Sequence, residues 1–97
     1  MQNLQDMDTV ELIRQRLREL EPEQVDIADE SGRHAGHEGA KSGGGHYLLT
    51  IVSRKFSGKP ALARHKLIYS VLEDMMHKRI HALGIKAYTP EEFNSTH

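Results

Sequence analysis

Apolar residues recur at intervals of three and four near the start of the chain: Val10, Ile13, Leu17 and Leu20, with Arg14, Arg16, Arg18 and Glu19 between them. This period predicts an amphipathic helix over Thr9–Leu20, opened by Asp8 and Glu11 at capping-box spacing and stopped by Pro22. Val25 and Ile27 then flank Asp26, which predicts a short strand over Val25–Ala28. Tyr47–Ser53 is rich in β-branched and aromatic residues and reads as a strand buried on most sides. Phe56–Pro60 is a turn, and Pro60 suits the first position of a helix. That helix is expected to run to about Lys78, with Ala61, Ile68, Leu72, Met75 and Met76 as its apolar stripe and His65 on the stripe. From His81 the pattern changes to alternation through Tyr88, a third strand. Thr89, Pro90 and Glu92 supply an N-cap, an N1 proline and an N3 carboxylate, so a short final helix through Phe93 follows.

The order α-β-β-α-β-α predicts an α+β fold, a two-layer sandwich with helices on one face of a three-stranded mixed sheet. The second and third strands are joined through the long helix in the manner of a right-handed β-α-β unit. One domain is expected over residues 1–97, its core spanning about residues 9–93.

Ser31–His46 interrupts this patterning. It holds six of the chain's eight glycines and three of its seven histidines, and no large apolar residue. A segment that buries so little is expected to be a flexible surface loop. Loops of this length tend to be either functional or disordered, and imidazole both ligates metals and titrates near neutrality.

Composition narrows the chemistry. The chain has 97 residues and no cysteine, which excludes disulfides, a cysteine nucleophile and any thiolate-held cluster carried by this chain alone. The polar start, Met1–Asp8, has no signal or transit character, and no apolar run approaches the ~20 residues of a membrane span. A cytoplasmic protein with no membrane contact is the expectation. A formal net charge of −1 argues against strong non-specific binding to nucleic acid, while leaving room for a local basic patch. Ser53, His65 and Glu73 offer hydrolytic residue types, but no nucleophile motif assembles them. Spacing alone reads His81 as a strand-end histidine, packed or hydrogen-bonded, and the loop histidines as solvated.

Two stretches resemble a known family. Phe56-Ser-Gly-Lys-Pro-Ala-Leu-Ala-Arg-His-Lys-Leu-Ile-Tyr69 and Ile80-His-Ala-Leu-Gly-Ile-Lys-Ala-Tyr-Thr-Pro90, with Asp29-Glu-Ser31 before the loop, are similar to the BolA family over roughly residues 10–93. The resemblance implies a fold like the class II KH domain and no enzymatic activity. It also implies a monothiol glutaredoxin partner with which a [2Fe–2S] cluster is shared. The glutaredoxin and glutathione would each supply a thiolate, and this chain two histidines. Carried over to this sequence, the C-terminal ligand is His81. The ligand from the loop is His34 by first preference, with His37 and then His46 as alternatives. Replacing thiolate by imidazole raises a cluster's reduction potential, and such ligation is lost when the imidazole is protonated. His65, in the family's Arg-His element, reads as structural. The isolated chain is a candidate homodimer.

A second reading that the resemblance implies is a DNA-binding transcriptional regulator of stress response and cell morphology. Arg54, Lys55, Lys59, Arg64 and Lys66 fall within thirteen residues that contain no acid, the pattern of a basic helix face. The phosphate-clamping Gly-x-x-Gly of KH domains belongs between two helices. Gly36-His-Glu-Gly39 has that spacing but lies between two strands, and Phe56–Pro60 lacks the second glycine.

Overall fold

Three α-helices and three strands follow one another in the predicted order in the computed structural model, which describes residues 8–31 and 45–96. Helix α1 (Thr9–Leu17) tightens into a 3₁₀ turn over Arg18–Leu20 and is followed by β1 (Gln24–Asp29) and β2 (Gly45–Val52). A 3₁₀ turn over Arg54–Phe56 precedes helix α2 (Ala61–Val71), which leads through another, Glu73–Met75, into β3 (Ile80–Tyr88), and α3 (Pro90–Thr96) closes the fold.

The sheet order is β1-β2-β3. β1 runs antiparallel to β2, with Val25 opposite Ile51 and Ile27 opposite Leu49. β2 runs parallel to β3, with Leu49 opposite Ile85 and Ile51 opposite Ala87. Alternation along a strand sends these residues to one face. There they meet Leu12, Ile13 and Leu17 of α1, Ile68 of α2 and Leu72 just past its end, with Phe56 fully buried among them. The sheet is thus covered by α1 and α2 on one side, as the α+β reading requires.

Ser53 ties the layers together. It is fully buried, and its hydroxyl donates to the Leu20 carbonyl at 2.7 Å while accepting from the Lys55 N–H at 3.1 Å. That side chain is committed to structure, which removes it from any hydrolytic arrangement.

Three local expectations are corrected. Asp8 occupies the N-cap of α1, but its carboxylate takes no capping hydrogen bond; its backbone carbonyl instead accepts from Leu12 N–H at 3.0 Å. Helix α2 ends at Val71 rather than near Lys78, and Ala61 is exposed rather than part of the stripe. Turning back to β3 demands a break: the 3₁₀ turn buries Met75, and His77 takes a left-handed φ of 68° with its N–H donating to Ile80 O at 2.8 Å. A histidine in that conformation carries none of the glycine signal by which a helix end is usually read.

Both sheet edges are guarded by side chains. Arg14 donates to the Val25 carbonyl at 3.0 Å on β1. On β3, Arg64 donates to the Ala87 carbonyl at 3.0 Å and Tyr69 to the Leu83 carbonyl at 3.4 Å. Occupied carbonyls make an edge a poorer template for another strand.

Candidate functional site

His46 and His81 meet at the end of the sheet where β2 and β3 begin, their ring centroids 5.2 Å apart and their planes inclined by 31°. The parallel register brings them together. Gly45 pairs with Ile80 but His46 pairs with Ala82, so β3 has one extra residue at this point, and that residue is His81. Such an irregularity re-aims a side chain. Ile80, before it, is fully buried, while His81 is exposed and His46 half-buried.

The backbone of His46 is held at both its N–H and its carbonyl. Its N–H donates to Ser31 Oγ at 3.0 Å, and its carbonyl accepts from Glu30 N–H at 2.8 Å. Ser31 is itself anchored, its N–H donating to Asp29 Oδ1 at 2.9 Å in an Asx-type turn. Next to it, Gly45 donates to the Arg79 carbonyl at 3.0 Å. A Cβ on Gly45 would run into Ser31 Oγ and the Tyr47 ring, so the close approach needs glycine. The Asp29-Glu-Ser31 segment is therefore the clasp that seats His46. Sequence reading did not give these residues that role; the signal was an aspartate two residues before a serine, just ahead of a glycine-rich run.

His34 and His37 lie outside the described residues. Among the described residues, no group of three or more His, Cys, Asp or Glu side chains is arranged to hold a metal. The His46–His81 pair brings two imidazoles together. His65 is half-buried on α2, and no hydrogen bond of its ring is found among the described residues.

The basic run is largely matched by acids from other parts of the chain. Arg54 pairs with Glu23 at 3.0 Å and Lys55 with Glu21 at 3.7 Å. Arg64 makes a two-pronged contact with Glu92, at 2.6 and 3.0 Å, and its Nε donates to the Lys59 carbonyl at 2.7 Å. Its guanidinium also stands 6.0 Å from the centre of the Phe56 ring. Lys59 and Lys66 are exposed, with no ion pair among the described residues. Glu92 caps α3 as well: it accepts from Thr89 N–H at 2.9 Å, and Thr89 Oγ1 accepts from Glu92 N–H at 3.2 Å. The Arg64 hydrogen bonds, with the Thr89 amide, hold the Glu92 carboxyl down at about 2, and the same pairing raises the Arg64 guanidinium. This arginine is a fastener between α2, β3 and α3.

Fold and site together define a small α+β domain with one mixed sheet and an accessible histidine pair at the sheet's end. Comparison with known proteins places it. Residues 17–92 match the family model for BolA-like proteins, and the chain belongs to the BolA family. It is 42% identical over 86 residues to SufE-like protein 1, chloroplastic/mitochondrial, of Arabidopsis thaliana, covering 82% of this chain but 23% of that protein. To the DNA-binding transcriptional regulator BolA of Vibrio cholerae it is 37% identical over 75 residues, covering 77% of this chain and 68% of that one. The solved structure of BolA1 from Arabidopsis thaliana superposes with a TM-score of 0.77 at 37% identity, over 89% of this chain and 96% of that one. The chain spans about half the length of the chloroplastic BOLA1 protein it matches, 49%. Family members thus include organellar proteins as well as a bacterial regulator. No described helix is long and apolar enough to cross a membrane.

Proposed function

We propose that this chain is a non-enzymatic adaptor that binds a monothiol glutaredoxin and co-ligates a [2Fe–2S] cluster with it and glutathione, for cluster trafficking or iron and redox sensing. One observation carries the reading: the 5.2 Å separation of the His46 and His81 rings. With metal–nitrogen bonds of about 2.1 Å, two imidazoles on one ion put their ring centres roughly 5 Å apart. A chain without cysteine brings two neutral ligands and takes its thiolates from elsewhere, which is the ligand set of a mixed His/Cys cluster.

His81 and His46 would hold the iron on this side. The pair's geometry favours His46 over His34, the first preference from sequence, and over His37. When bound, the cluster supplies one-electron redox chemistry at a potential raised by imidazole ligation. The chain's own contribution is positioning: Asp29, Ser31 and Gly45 fix the His46 backbone, and the register shift in β3 turns His81 toward it. Anaerobic reconstitution with a monothiol glutaredoxin and glutathione tests this. A coloured heterocomplex is expected, with a visible spectrum altered by His81→Ala; an unaltered spectrum removes His81 from the ligand set.

The second reading, DNA binding, is favoured by the likeness to the DNA-binding transcriptional regulator BolA of Vibrio cholerae. Lys59 and Lys66 are the cations of the basic run that remain outside ion pairs among the described residues. Titration of labelled duplex DNA over a salt series decides it. Affinity that falls steeply with salt, and falls further in Lys59→Ala/Lys66→Ala, supports it, whereas binding no tighter than that of a neutral control protein rejects it.

A further inference from the structure

We infer that the open face of the sheet, next to the histidine pair, seats the thiolate-bearing protein that completes the cluster site; this rests on the shared-cluster reading above. Side chains alternate along β2. Tyr47, Leu49 and Ile51 are buried toward the helices, whereas Leu48, on the same face as His46, is 46% exposed. Leu48 reaches across β3 over Gly84, where an added Cβ would stand 2.6 Å from Leu48 Cδ2. Ala28, Leu48 and Gly84 are in register across the three strands, as are Asp26, Thr50 and Lys86 in the next row. Together they line a shallow groove of about 380 Å³ with an apolar floor.

Location and charge identify the occupant. At ~3.3 Å per residue the Leu48 row lies roughly 7 Å from His46 along β2. A protein that presents thiolates to a metal on His46 and His81 therefore arrives beside this groove. The opposite face is closed to it, because α1 and α2 cover that side. An apolar centre with a polar rim is the anatomy of a protein-binding patch. The rim has a carboxylate on β1, Asp26, and an ammonium on β3, Lys86. This pair matches a protein surface with an apolar side chain set between a cation and a carboxylate. It does not match a phosphate backbone, which Asp26 would repel.

The test titrates apo monothiol glutaredoxin into the full chain by calorimetry, with the visible spectrum of the reconstituted heterocomplex read in parallel. Leu48→Glu is expected to weaken binding at least tenfold and Lys86→Glu several-fold. Leu62→Glu, at a still more accessible leucine on α2 that is 65% exposed, is expected to leave it unchanged. If Leu48→Glu fails to fold, as judged by its thermal melt, Lys86→Glu carries the test. Wild-type affinity in both Leu48→Glu and Lys86→Glu, or a loss confined to Leu62→Glu, overturns the assignment of this face while the shared-cluster reading stands. No complex with the unmodified chain overturns both.

Discussion

His46 shows how a single residue's role depends on its neighbours more than on its own identity. In sequence it is the last residue of a glycine-rich run and the third choice for a ligand. In the fold its amide is held by Ser31 and its ring lies against His81. Nothing in the spacing announces this, because the contact depends on the one-residue shift between β2 and β3. Ser53 is a second case. Read as the last residue of a strand, it lies just beyond β2, and its hydroxyl bridges Leu20 and Lys55 at full burial. Ser53→Ala leaves the Leu20 carbonyl without its partner and is expected to cost about 1–3 kcal/mol. Urea denaturation of the two proteins measures it, and equal midpoints would show that water replaces the hydroxyl.

At the scale of elements, α3 is held by chemistry that the sequence stated openly. Thr89-Pro-Glu-Glu92 has capping-box spacing, and the box forms with both hydrogen bonds in place. What the sequence did not state is that the same carboxylate is clasped by Arg64, twenty-eight residues earlier. Three cations of the run read as a basic face, Arg54, Lys55 and Arg64, are paired with Glu23, Glu21 and Glu92, since local composition is blind to acids supplied from a distance. The pairing has a pH signature. The Glu92 carboxyl is lowered to about 2 in the folded chain, so its contribution to stability is complete above its unfolded value near 4.3. That contribution declines as pH falls from there and is gone once pH passes below the folded value. Glu92→Gln is therefore expected to be less stable than wild type at pH 6, and the gap should close between about pH 4.5 and 2. Thermal melts across that range test it; a gap independent of pH would assign the loss to the helix cap alone.

For the whole molecule, topology was legible because the periods are clean: three and four in α1, alternation in β3, a β-branched run in β2. Val25, Ile27, Leu49, Ile51, Ile13, Leu17 and Ile68 all face the shared core as their spacing implies. The end of α2 was not legible, since His77 takes the left-handed position in place of glycine. Helices on one face of the sheet were expected, but the exposure of Leu48 beside the histidines on the other face was not, in a strand read as buried on most sides. Parallel pairing of β2 and β3 is what links these scales. It aligns the starts of two strands far apart in sequence, so that His46 and His81 converge at one end of the sheet.

The most direct measurement is the visible absorption and circular dichroism of the cluster-loaded heterocomplex with a monothiol glutaredoxin, prepared from wild type, His81→Ala, His46→Ala and His34→Ala. The account predicts altered spectra for His81→Ala and His46→Ala, and a wild-type spectrum for His34→Ala. Wild-type spectra from both His81→Ala and His46→Ala would contradict it.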